Sequence, residues 1–458
     1  MEHSCAKNMH IYLTKTKLKI LLLYLLAYAL LWFGYARFVV PVYGHTGFVW
    51  APNMIKVFES IVMLVFFALS LPSKIKLPSD FLIHVHFLLP VVPMLALYSA
   101  SDLPRVYIYF VLLAFAVVCW VRKFKVPKIK GEMIPVPIMM WGLLIIVGIY
   151  ILSIIVKGGL QYFNLNLLKV YDFRSIAAQN LPQIYGYFSP MVSKVLLPFI
   201  VLLAVYRRKW LVAGLALTGS VMMFAMTNHK GPLFYPFLVL GIYYVLHYQL
   251  RVIQLLLIGY IFFILAPLAF FYVDNSSIIL GALFLFRVYF VPAQINFNYY
   301  DFFSTHPHTM LAESKLTFGL VHYPYDLDST HLIGYYYSHN AMIAANTGWL
   351  GSGYMQFGLV GMLGYALIIG LLLSIVDTLA KRRELDISVA ILFIPFFSLF
   401  LSSDLPTAML TGGLLLALFL TWTCQLRGQR RSVPRGSVAS FLKRTVRRCC
   451  YRRLESSS

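Results

Sequence analysis

The sequence predicts an all-α polytopic membrane protein, with about twelve transmembrane helices and one large loop between helices 9 and 10. Three observations predict it. The 458 residues are 60% hydrophobic and only 12% charged, whereas soluble domains run nearer half apolar and a quarter charged. The apolar residues recur in blocks of about 18 to 24, each long enough to cross ~30 Å of hydrocarbon as a helix. These blocks do not alternate apolar and polar residues, as the strands of a spanning barrel would. The positive charge, finally, is gathered in the connectors between blocks and in the C-terminal tail.

Helices are predicted at about 20–41, 53–71, 81–99, 105–121, 136–156, 188–205, 210–227, 233–249, 252–272, 354–376, 387–402 and 405–424. Charges assign the sides. Lys74 and Lys76, the run Arg122, Lys123, Lys125, Lys128 and Lys130, then Arg207, Arg208 and Lys209, Arg251, and Lys381, Arg382 and Arg383 all fall in alternate connectors. Such connectors belong on the cytoplasmic side. Both termini are then cytoplasmic. Lys15, Lys17 and Lys19 precede an apolar block with no small-residue cleavage site, which reads as an uncleaved anchor. Ten Lys and Arg lie between Arg427 and Arg453, a basic cytoplasmic tail over 425–458 suited to anionic lipid. The net charge of +22 is therefore a topology signal, and nucleic acid is not an expected partner. Cys5, Cys119, Cys424, Cys449 and Cys450 all map to the cytoplasmic side, so no disulfide framework is expected.

Residues 276–293 are apolar but carry Arg287. Counting them as a span would break the charge parity, so they read as a re-entrant or interfacial element on the outer side. The chain then divides into 1–293 (helices 1–9 plus that element), a large outer loop over 294–353, helices 10–12 over 354–424, and the tail. Between residues 294 and 340 the loop holds eleven aromatics, including Tyr299 and Tyr300, and five of the twelve His. Disordered segments are poor in aromatics. Aromatic faces suit the apolar C–H faces of sugar rings; a belt of interfacial tyrosines explains the same composition.

Arg174, in an outer loop over about 157–187, Lys230 and Arg287 all fall on the outer side or its membrane edge. An interfacial cation is a functional hypothesis, and the Arg fork matches phosphate oxygens; a snorkelling anchor is the plainer reading. Lys56 and Glu59 stand three apart on helix 2, the spacing of an ion pair. His84 and His86 read as buried, hydrogen-bonded core residues. His306 and His308 lack an evident third ligand, so no metal or other cofactor is expected.

The stretch FRVYFVPAQINFNYYDFFSTHPHTMLAES, 286–314, resembles the signature region of the O-antigen polymerase (Wzy) family, as does SHNAMIAANTGWLGSGYMQFGLVG, 338–361. TNHKGPLFYPFL, 227–238, is a weaker match, with Lys230 where that family and the related ligases often carry Arg. The resemblance implies a metal-independent, GT-C-like glycosyltransferase of the bacterial inner membrane. Such enzymes join undecaprenyl-pyrophosphate-linked oligosaccharide units on the periplasmic face by en bloc transfer, and a chain-length regulator is an implied partner. On this reading Arg287, Arg174 and Lys230 stabilise the departing pyrophosphate. Asp301, Glu313 and His339 are the candidate general bases. Tyr299, Tyr300, Asn346, Gly348 and Gly351 are candidate substrate contacts, the last three as an anion-binding turn at a helix start. An O-antigen ligase and a transporter of lipid-linked oligosaccharide are the alternatives; a transporter would more often show internal repeats, and none is visible.

Overall fold

The computed structural model describes residues 14–127, 134–167, 170, 182–248, 251–273, 278–314, 317–380 and 385–425. It is almost wholly helical. In chain order the principal helices are α1 (Lys15–Thr46), α2 (Met54–Ser70), α3 (Pro78–Ala100), α4 (Arg105–Val121), α5 (Val136–Val156), α6 (Gln183–Tyr206), α7 (Trp210–Thr227), α8 (Gly231–His247), α9 (Val252–Val273), α10 (Ile278–Thr305), α11 (Ser329–Ser338), α12 (Trp349–Ala380), α13 (Leu385–Leu401) and α14 (Leu405–Thr423). Among the described residues, nine helices are long and apolar enough to cross a membrane: α1, α3, α5, α6, α7, α9, α10, α12 and α14. The chain is a multi-pass membrane protein. α4, α8 and α13 are shorter apolar helices. Met1–Cys424 is one compact unit, separate from Gln425–Ser458.

Proline explains the irregular turns. α1, α3, α6 and α10 each contain a widened π-type stretch, at Tyr35–Val39, Phe87–Val91, Val192–Leu196 and Gly281–Phe290. Pro41, Pro93, Pro198 and Pro292 follow them. A proline cannot donate to the carbonyl four residues back, and its ring crowds that carbonyl. In all four helices that carbonyl, of Arg37, Leu89, Lys194 or Val288, lies inside the widened stretch, so the helix relaxes there by slipping register.

Polar contacts distinguish the two ends of the bundle. At the basic end, Arg122 Nη1 lies 3.0 Å from Asp80 Oδ1 and donates to Ser79 Oγ at 2.6 Å. Ser79 donates through its N–H and hydroxyl to the two carboxylate oxygens of Asp377, at 2.9 and 2.6 Å. This network ties α3, α4 and α12. His247 and Asp386, 2.7 Å apart, tie α8 to α13. At the other end, Lys56 Nζ sits 2.7 Å from Asp102 and donates to the Leu103 carbonyl at 2.6 Å, which holds the Asp102 carboxyl below its usual range. Glu59 pairs with Arg105 and accepts from Tyr98. The expected Lys56–Glu59 pair is thus replaced. Each residue finds partners where α3 gives way to α4, and there the geometry is fixed by tertiary packing and not by a weak intrahelical spacing. His84 is a core residue bridging the Tyr24 hydroxyl and the Pro72 carbonyl.

Two expected boundaries are corrected. The segment expected to end at 293 continues as one helix to Thr305. Both halves of α10 touch the same, aromatic end: Phe290 packs on Tyr35, and Tyr300 stacks on Tyr107 near the start of α4. The helix expected over 354–376 begins earlier, at Trp349, and is broken. Phe357 and Gly358 leave helical geometry, with Gly358 at φ +63°, ψ −148°, a region open essentially to glycine alone. The short arm Trp349–Gln356 folds back on the long arm so closely that a Cβ on Gly361 would sit 2.2 Å from the Gly353 carbonyl oxygen. Trp349 is fully buried and donates to His86 Nε2, 3.1 Å away, in the interior part of α3. The chain therefore enters the bundle at 345–349, where Ala345, Thr347 and Gly348 are buried, turns, and climbs to the aromatic end before the long arm descends.

Candidate functional site at the aromatic end

The stretch expected as one long loop is largely built structure. The first part of α10's second half, Val291–Asn296, packs against the core, and its last turns carry the aromatic layer. Tyr299 is fully buried and donates to the Ala345 carbonyl at 3.1 Å. Tyr300 stacks on Tyr107, 4.7 Å between centroids, and meets Tyr354 at a tilt, 5.0 Å. Phe302 stacks flat on His306 at 4.1 Å and meets the ring of Tyr336 edge-on at 5.0 Å. Tyr335 and Tyr336 remain half exposed, at 51% and 50%.

Asp301 lies on this surface. It is exposed, and the Tyr337 hydroxyl donates to its carboxylate at 2.5 Å and lies 3.2 Å from the Asn298 carbonyl. Burial, then the neighbouring carboxylate, holds the Tyr337 phenol well above its usual range, so it stays a donor and orients the acid. An oriented, solvent-reached carboxylate among aromatic faces can bind a sugar and accept a proton from one of its hydroxyls.

The other candidate bases are placed differently. Glu313 accepts from the Ser329 N–H at 2.7 Å and from the Ser329 hydroxyl, so both oxygens are engaged at the start of α11, where Asp328 is the N-cap. That is a capping arrangement. His339 is exposed just after α11 in a left-handed conformation, φ +52°, and its N–H bonds the Tyr335 carbonyl at 2.8 Å.

Arg287, the expected cation on the same helix, does not meet Asp301. Arg287 is exposed on the widened stretch of α10 beside Tyr43. Fourteen residues separate it from Asp301 on one helix, roughly 20 Å at ~1.5 Å per residue. Lys230 stands on the α7–α8 turn, before α8. Asn228 shapes that turn with its left-handed backbone, φ +53°, and accepts from Asn164 at 2.9 Å while donating to the Tyr162 carbonyl. Arg174 lies outside the described residues.

The expected anion-binding turn also has a packing explanation. A Cβ on Gly348 would lie 2.3 Å from the Phe400 carbonyl oxygen, and one on Gly351 would lie 2.4 Å from Thr347 Oγ1. These glycines admit close contacts at the base of the short arm. Asn346, by contrast, is exposed.

Sequence reasoning missed two features. One is the bracket that holds the short arm. Gln356 Oε1 accepts from Thr309 Oγ1 at 2.7 Å and from the Leu311 N–H at 2.6 Å, and Nε2 reaches Asp404 at 3.5 Å. The N–H groups of Thr309 and Met310 cap the Met355 and Gln356 carbonyls, each at 3.1 Å, which are the orphan acceptors of a helix end. Burial raises the carboxyl pKa of Asp404. The other is Lys194, inside α6, whose signal was visible as a lone cation in an apolar block. Among the described residues, no group of three or more His, Cys, Asp or Glu is arranged to hold a metal.

No family model, curated protein or solved structure matches this chain.

Proposed function

We propose that this protein polymerises undecaprenyl-pyrophosphate-linked oligosaccharide repeat units on the periplasmic face of a bacterial inner membrane, by en bloc glycosyl transfer. The observation that carries the reading is the exposed Asp301 carboxylate, oriented by Tyr337 within an aromatic layer that spans the two motif stretches. Twelve spans accommodate it: all the long apolar helices except α10, together with α2, α4, α8 and α13. The aromatic end is then periplasmic, the basic end and both termini cytoplasmic by the positive-inside rule, and α10 the interfacial element on the periplasmic side.

In this reaction the terminal hydroxyl of an incoming unit attacks the anomeric carbon of the growing chain. The carbon–oxygen bond to pyrophosphate breaks, and the hydroxyl proton passes to Asp301. The ~20 Å between Arg287 and Asp301 assigns them to the two ends of the incoming unit: Arg287 pairs with its own pyrophosphate, and the glycan runs along α10 to Asp301. Lys230 and Arg174 are left to neutralise the departing pyrophosphate.

The test is the lipopolysaccharide or surface-polysaccharide ladder of cells carrying Asp301→Asn or Arg287→Ala. The expected result is loss of the ladder with a single unit still attached. Loss of all attached glycan would instead indicate a ligase, and a normal ladder in both variants would sink the reading.

A further inference from the structure

Lys194 lies midway along α6, in the stretch widened upstream of Pro198. Its ammonium donates to Ser398 Oγ at 2.8 Å, and that hydroxyl is 2.8 Å from Ser403 Oγ. No carboxylate pairs with Lys194 among the described residues. Ser398 is buried, whereas Lys194 and Ser403 are half-buried and Ser402 is exposed, so the cluster can be reached from outside the bundle. Ser398 stands three residues from the end of α13, about 5 Å along the axis, and Ser403 lies just beyond it beside Asp404. The cluster lies partway down the bundle, since Phe400, two residues beyond Ser398, stacks at 4.4 Å on His86 in the interior part of α3.

A partly desolvated ammonium whose partner is a hydroxyl has no opposite charge beside it. Such a residue within a spanning helix is costly and is retained where an anion meets it. Two hydroxyls beside it add donors, and a compact ammonium with flexible reach suits a phosphate as a point charge. We propose that Lys194, Ser398 and Ser403 form a binding site for a phosphate or diphosphate group that reaches into the bundle beside the exposed Ser402. This site is separate from Asp301 and does not depend on glycosyl transfer.

The experiment is thermal unfolding of the full chain, purified in detergent, with four probes: farnesyl diphosphate, farnesol, short-chain phosphatidylglycerol and inorganic pyrophosphate. We expect a phosphate-bearing probe to raise the Tm of the wild type and farnesol not to. Lys194→Met should bind that probe about tenfold or more weakly, the loss of one charge-assisted contact, and Lys194→Arg should keep most of the shift. The probe that acts identifies the source. Farnesyl diphosphate alone points to a lipid-linked substrate, phosphatidylglycerol to a bilayer lipid, and inorganic pyrophosphate to a free anion. No shift with any phosphate probe, or equal shifts in wild type and Lys194→Met, overturns the proposal. If Lys194→Met does not fold, Ser398→Ala serves: weaker binding supports the site and unchanged binding overturns it. Because binding alone is read, a defect in polymerisation leaves the outcome unaffected.

Discussion

At the basic end of the bundle, Arg122 is answered by Asp80 and Ser79, and Ser79 in turn by Asp377. The Arg122 and Asp80 side chains are only 10% and 9% exposed. At the aromatic end, Asp301 is exposed and meets a phenol, and Tyr335 and Tyr336 lie open beside it. The first set of charges is consumed in holding helices together. Asp301 is oriented but left accessible, unlike the Lys56–Asp102 and Glu59–Arg105 pairs at the same end. Identical residue types thus do opposite work, and the difference lies in whether each partner is already inside the fold.

That contrast can be broken or sharpened. The largest effect is expected from Asp301→Asn. Loss of a general base removes about 10²–10⁴ of rate, so the polysaccharide ladder should vanish while the Tm stays within a degree or two of wild type. A matching fall in Tm would move Asp301 into the structural class. Arg122→Ala should do the reverse. Removing one partner of a buried pair costs about 3–5 kcal/mol, read as a large drop in Tm and in membrane yield. Gly358→Ala forces a side chain into a glycine-only region, at a cost of about 1–3 kcal/mol. It should lower Tm and also reduce polymer length, because the short arm of α12 underlies the aromatic layer.

Two smaller effects follow. Asp404 has a raised carboxyl pKa through burial. Its charged form is therefore a penalty, absent below the unfolded pKa and growing as pH rises toward and through the folded value. Asp404→Asn should then gain stability relative to wild type at pH 8 and lose that advantage by about pH 4, near the unfolded carboxyl range. An advantage that does not change with pH would contradict the buried-acid account. Tyr336→Ala should shorten the ladder without abolishing it, since one half-exposed aromatic contact is worth about 1 kcal/mol.

Much of the fold was legible in the chain itself. Block length and apolarity specify membrane-crossing helices because hydrocarbon satisfies no backbone polar group. The basic connectors mark one end because cations concentrate there, and Pro41, Pro93, Pro198 and Pro292 mark where four helices relax. The aromatic-rich segment was recognisable by composition, and Asp301 by its place within it. The partnerships were not legible. Lys56 and Glu59 have the spacing of a pair yet bond Asp102 and Arg105. Glu313 looks like a free acid yet caps α11, and Tyr299 looks like a surface contact yet is buried. Gly358 reverses α12, which reads as one continuous apolar block. Periodicity and composition act along the chain and so decide which elements form. Which charge is consumed and which is left to act is decided by residues far apart in sequence, brought together only when the helices pack.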